Sequence, residues 1–247
     1  MNTPPLYDLN TIKYAVDDGM WKRAIALYEG GKVVDFKETV NEYTARVLGG
    51  SPYRVSVSNK SVDRGDCDCY MGQQDELCKH MIAVAVYAVC DGRPLALEEK
   101  QHISEPVYSG IVGDITEEEM KELKWNINAG MRCIKSYEGP SRTWFAYQNK
   151  LDEGCARIAT AVATVPANAK TAKLLVNTLL KLDTKLATGG VDDSNGTVGH
   201  CMSGIVEVLL SFADADPMCI KVFKVLEGKK TCFEWQEPLV RYMKNRA

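Results

Sequence analysis

Cys67-Asp68-Cys69-Tyr70-Met71-Gly72-Gln73-Gln74-Asp75-Glu76-Leu77-Cys78-Lys79-His80 is the stretch on which the reading of this chain turns. Three of the nine cysteines and one of only three histidines fall inside it. The spacing is C-x-C, eight intervening residues, then C-x-H. Three soft thiolates and one imidazole supply the four donors that close a tetrahedral zinc sphere. Cys67, Cys69, Cys78 and His80 are therefore the expected ligands of one structural Zn²⁺ ion. Four protein ligands leave no position for an activated water, which argues against a catalytic metal. A redox C-x-C dithiol would leave Cys78 and His80 without a role. Three thiolates also leave the site with one net negative charge. Lys79 and Arg64 are expected to offset it, together with the N–H groups of a helix opening at Cys78-Lys79-His80, while Asp66, Asp68, Asp75 and Glu76 point to solvent.

The segments on either side have contrasting periods. Upstream, residues 11–27 are helix-leaning but interrupted at Asp17-Asp18-Gly19, which predicts two short helices. Gly30-Gly31 then marks a change to a period of two, and residues 32–39, 43–48 and 53–58 read as strands rich in Val, Thr, Tyr and Phe. Taking Gly49-Gly50-Ser51 as a three-residue hairpin loop pairs Val47 with Tyr53, Ala45 with Val55 and Tyr43 with Val57 on one apolar face. The same register sets Arg46 directly opposite Arg54, a pairing of like charges. Either a neighbouring carboxylate such as Glu42 or Asp35 separates them, or a phosphate or an acidic partner does. Lys60, in the turn Asn59-Lys60-Ser61, is a further candidate for such a contact. Downstream, His80, Ile82, Ala83, Val86, Tyr87 and Cys90 recur at helical spacing, and Asp91-Gly92-Arg93-Pro94 stops the helix.

From Thr116 the pattern is helical throughout. Thr116-Glu117-Glu118-Glu119 is a capping box that opens the first helix, and Gly139-Pro140 breaks it. A second helix runs from Ser141 to about Val165, and a third follows Asn168 with Leu175, Leu179, Leu182 and Leu186 on one face. A fourth covers residues 197–213. Asp216-Pro217 caps a fifth that closes at Gly228, and a sixth covers residues 233–245. The expected architecture is α+β: a small β-meander plus helix over residues 1–92, a linker over 93–115, and an all-helical bundle or array of about six helices over 116–247.

The 67–80 spacing, followed by the apolar helix and preceded by Tyr53-Arg54-Val55-Ser56-Val57, resembles the SWIM zinc finger. Gly31-Lys32-Val33 and Ala45-Arg46-Val47-Leu48-Gly49-Gly50-Ser51 look like the strands that precede the ligands in that family. Tyr70 departs from it, since many members have proline there. The resemblance implies a ββα finger around one structural zinc, and a role in binding DNA or protein. The helical half, including Asp192-Asp193-Ser194-Asn195-Gly196, looks like the region that accompanies the finger in some bacterial members.

Composition narrows the classes. Net charge is −3. Residues 1–100 carry 12 basic against 15 acidic side chains, and residues 101–247 carry 18 against 18, so neither half has the basic excess of a general nucleic-acid binder. Residues 217–247 form a basic tail, with seven basic against three acidic side chains. The longest apolar run, residues 81–90, is too short to span a bilayer, and the N-terminus lacks the pattern of a signal peptide. An odd cysteine count with irregular spacing suits a reducing cytoplasm. The six cysteines outside the cluster read as small buried hydrophobes, and His102 and His200 as structural. Asp192–Gly196 does not match a calcium loop, because Val191 and Met202 would fall at ligand positions. There is no phosphate-binding glycine motif, no nucleophile elbow, no acid/base pair of readable spacing and no evident small-molecule site. The expectation is a non-enzymatic adaptor with a protein partner. The alternative is a DNA- or RNA-binding protein that uses Arg46, Arg54, Lys60 and the basic tail.

Overall fold

A computed structural model describes residues 4–246. The chain divides into two compact units, Met1–His102 and Ile103–Ala247. The first is built on a four-stranded antiparallel meander, β1 (Val33–Glu38), β2 (Glu42–Leu48), β3 (Pro52–Ser58) and β4 (Gly65–Cys67), with neighbours in sequence order. The β2–β3 register is the one expected from the sequence: Val47 opposite Tyr53, Ala45 opposite Val55, Tyr43 opposite Val57 and Arg46 opposite Arg54. Period-two alternation puts Tyr43, Ala45, Val47, Val55 and Val57 on one buried face. A break in the β1–β2 register between Val34 and Lys37 leaves Asp35 at φ 54°, a left-handed conformation that aspartate adopts more readily than most residues.

That apolar face receives the helix α3 (Lys79–Cys90), whose other sides pack against α1 (Leu9–Lys13) and α2 (Asp18–Glu29). Residues 80–86 of α3 are all buried, so this helix is a core element with no solvent face over its first two turns. Asp8 and Asp17 cap α1 and α2 by accepting from Thr11 N and Met20 N. Asp17 thus starts the second helix, and the break falls just ahead of it. Trp21 on α2 has no exposed surface, and its indole donates to Lys100 O at 2.9 Å.

The boundary between the units lies inside the segment 93–115. Tyr28 donates to Arg93 O at 2.6 Å, His102 Nε2 lies 3.0 Å from Val16 O, and a short helix α4 (Leu97–Lys100) sits between them. These bonds fasten residues 93–102 to the first unit. Residues beyond the boundary are held by the second, where Ser109 donates to Val165 O at 2.6 Å and Ala167 N to Ile111 O at 2.8 Å. Buried aromatic donors need acceptors, and loop carbonyls supply them.

The second unit contains α5 (Glu117–Cys133), α6 (Trp144–Val162), α7 (Ala169–Ala187), α8 (Thr197–Ala215) and α9 (Glu237–Asn245). The Thr116–Glu119 capping box is formed in both directions. Two helical expectations are corrected. Residues Pro217–Leu226 form a 3-10 helix, although Asp216 caps it and Pro217 opens it as they would an α-helix. The last helix begins at Glu237 instead of residue 233, because Phe233 and Glu234 have positive φ and Pro238, lacking an N–H, belongs in a first turn. α8 is long and apolar enough to cross a bilayer by length and composition. Here it is the core helix of its unit, packed by α6, α7 and the 3-10 segment.

α5 and α6 meet through backbone. A Cβ on Gly130 would stand 2.6 Å from Gly154 O, and one on Gly154 would stand 2.9 Å from Gly130 O. Gly154→Val is therefore expected to force the helices apart and to destabilise the helical unit by about 1–3 kcal/mol or more, read as a lower unfolding midpoint. In the first unit, Lys13 is 2% exposed and donates to Glu98 O at 3.3 Å, and burial lowers its pKa to about 8. The folded pKa lies below the ordinary lysine value of 10.5, so the unfolded chain binds the extra proton between pH 8 and 10.5, and this group's penalty is lifted as pH rises through that window. Lys13→Met should raise stability most below pH 8, with a gain that shrinks towards pH 10.5 in paired denaturation curves.

Candidate metal centre

Three elements deliver the four donors. Val55 pairs with Cys67, so the sheet itself fixes the first ligand at the end of β4. This fourth strand is not among the three expected from the sequence. Cys69 follows in the loop, where it accepts a hydrogen bond from Gly72 N at 3.4 Å. Gly72 opens a 3-10 turn (Gly72–Gln74), and a Cβ there would meet Cys67 O at 2.2 Å, so only glycine lets the loop fold back this closely. Cys78 is the N-cap of α3, and His80 lies in its first turn. Tyr70, where many related fingers carry proline, is 82% exposed and makes no demand on the loop's interior.

The donor atoms lie within 4.8 Å of one another. Nδ1 of His80 is 3.7 Å from Cys67 Sγ and 3.8 Å from Cys78 Sγ. With Zn–S near 2.3 Å and Zn–N near 2.0–2.1 Å, a tetrahedral site separates S from N by about 3.6 Å. The two His80 separations are therefore within a few tenths of an ångström of the tetrahedral value, and the four donors suit one Zn²⁺ ion. Cys67, Cys69, Cys78 and His80 are all buried. Among the described residues this is the one group of His, Cys and carboxylate side chains able to hold a metal.

The surroundings favour thiolate. The Cys78 thiol is pushed down, first by its hydrogen bond with Cys67 and then by His80 and the Met81 N–H, while Cys67 is pushed up as the partner that keeps its proton. A bound zinc displaces that remaining proton. Asp66, Asp68, Asp75 and Glu76 are exposed, as the charge of the site requires. Lys79 lines a cavity of about 250 Å³ beside the donors, joined there by Arg23. Arg64 is not among the residues that line it. The ring of Tyr53 stacks on His80 with centroids 4.4 Å apart and fixes the plane of the imidazole.

Of the other candidate residues, Arg46 and Arg54 are brought together across β2 and β3, and Lys60 is not among them. Arg46 Nε lies 2.5 Å from Asp35 Oδ2, and Arg54 Nε lies 3.0 Å from Asp68 Oδ2. The Arg54 guanidinium holds the Asp68 carboxyl below its usual range. Both arginines line a shallow cavity of about 440 Å³ on the outer face of the sheet, and Lys60 is not among its residues. The sequence reading named Asp35 as one possible separator and missed Asp68. Recognising β4 would have supplied it, since Val55 opposite Cys67 sets Arg54 beside Asp68.

Asp192–Gly196 is a capping loop: Asp193 accepts from Val198 N and Gly199 N, and Asp192 accepts from Trp144 Nε1 at 2.9 Å. Of the six remaining cysteines, Cys90, Cys155, Cys201 and Cys219 are buried, whereas Cys133 and Cys232 are half-buried. His102 is held in the first unit, and His200 lies exposed at 3.3 Å from Glu105.

Freshly purified protein should contain about one zinc per chain by elemental analysis, since structural zinc in small fingers is worth about 10–16 kcal/mol of folding free energy. Cys67→Ala and His80→Ala should each lose the metal together with the cooperative unfolding of the first unit. Acidification should release zinc as protons compete for the three sulfurs and the imidazole.

No curated protein and no solved structure matches the chain. Residues 53–88 match the family model of the SWIM zinc finger. That stretch contains β3, β4, all four donors and nearly the whole of α3. The first unit of this chain carries a SWIM zinc finger that binds one zinc ion.

Proposed function

We propose that the protein is a non-enzymatic adaptor, in which the zinc finger builds a rigid surface and the helical unit presents a second one to protein partners. The observation that carries this reading is the pairing on the outer face of the sheet. Arg46 and Arg54, the residues best placed for phosphate, are each matched by a carboxylate of the same face. Surface ion pairs of this kind are worth little in stability. Their effect on binding is larger, because a face with no net charge releases few counterions when a polyanion approaches. Such a face suits a partner with its own mixture of charges.

Four ligands that complete the metal's sphere support a structural role for the zinc. Metal thiolates and scattered thiols also suit a reducing, cytoplasmic setting. Nucleic-acid binding remains the second reading, supported by the exposed Lys60 and the basic side chains of residues 217–247.

Affinity capture from the native host, with and without nuclease, separates the two. The adaptor reading expects a protein partner that survives nuclease treatment, and weak retention of duplex DNA or RNA at moderate salt. Retention of nucleic acid in the micromolar range, with affinity falling steeply as salt rises, would overturn it.

A further inference from the structure

The groove between α5 and α7 has a chemistry that the zinc finger does not share. It encloses about 450 Å³ and mixes half-buried Leu174 and Leu180 and buried Ile127 and Met131 with uncharged Asn and Thr side chains, with Lys124 contributed by α5 and Lys181 by α7. No carboxylate lines it. Glu119 and Glu122 line a different cavity, beside Ala161 and Thr164. Asp183, the sole acid of α7, accepts from Cys232 N and Trp235 Nε1. Lys124 and Lys181 are exposed, and neither has an ion-pair partner among the described residues. Lys170 and Lys173 extend the positive wall along the same side of α7 by helical spacing.

The geometry points to an acidic amphipathic helix of a partner protein as the occupant, docked in this groove. The proposal rests on the adaptor reading and names the surface and the partner chemistry. Two packed helices with such a groove between them accept a third helix by inserting its i, i+3, i+4 and i+7 side chains. A helix satisfies its own backbone hydrogen bonds, so it can lie along the groove without stranding N–H groups, whereas an extended peptide would strand them. Lysines from both helices select acidic flanks for that stripe. A nucleic-acid backbone meets the lysines but has nothing to place on Leu174 and Leu180.

The test uses the full zinc-loaded chain and a displayed library of helix-forming peptides of about five turns. The expected winners carry an apolar stripe flanked by Asp and Glu. Lys124→Glu combined with Lys181→Glu, both at exposed positions and checked for fold by circular dichroism, should weaken them roughly tenfold or more. Winners with basic flanks, binding unchanged by the double reversal, no enrichment at all, or displacement of the peptide by a short DNA duplex would each overturn the proposal. The double variant also goes through the nuclease-treated capture. A native protein partner retained at full strength by the variant would defeat the groove and leave the adaptor reading standing. Recovery of nucleic acid alone from the unaltered protein would defeat the adaptor reading itself.

Discussion

Everything in the first unit depends on how the first turn of α3 is tied to the end of β4. The helix is apolar on all sides over residues 81–86, so it is stable only when the sheet covers one side and α1 and α2 cover the rest. A helix of that kind has little to set its position along its own axis, because apolar packing is not directional. Two of the four metal donors, Cys78 and His80, sit at its N-terminus, and a third, Cys67, is locked into the sheet by its pairing with Val55. The coordination bonds convert a greasy rod into an indexed one. The pairing in register of Arg54 with Asp68 follows from the same join, since both flank the Val55–Cys67 pair.

How much of this was legible depended on whether a feature repeats. The β2–β3 register could be read because seven residue pairs and a three-residue loop all agree, so any slip breaks several matches at once. β4 could not, because three residues of mixed character have no period, and they become a strand only by pairing with β3. The four metal ligands were visible because chemistry, not packing, dictates their spacing. The contact of Tyr53 with His80 joins two elements far apart in sequence and has no local signature. The 3-10 segment at Pro217–Leu226 was taken for an α-helix because both begin with the same cap and proline, and buried Cys219, Phe223 and Leu226 suit either over so short a run. Its hydrogen-bond spacing is decided by what it packs against. The segment 93–115 lacked any period and was taken for a linker, yet both of its ends are pinned by aromatic or hydroxyl donors seeking carbonyls.

The two units handle charge in opposite ways. On the sheet, each arginine of the outer face has its carboxylate within the same face. On α5 and α7, Glu119 and Glu122 line a separate cleft and Asp183 accepts from the Cys232–Trp235 turn, while Lys124 and Lys181 beside the groove are exposed. Neither arrangement shows in the net charges of the two halves, which are both close to neutral. Bulk composition therefore says less about binding than the placement of each carboxylate.

The crossing of α5 and α6 has a consequence for how this protein can change over time. Because Gly130 and Gly154 touch through backbone atoms, the pose of α5 is set by two residues that have no side chain to vary. Exposed side chains such as Lys124 and Lys181 can vary one at a time without touching that crossing. A single step from glycine at either position would move a whole helix at once. Change at the exposed positions is left free to be gradual, while the crossing beneath them is confined to one solution.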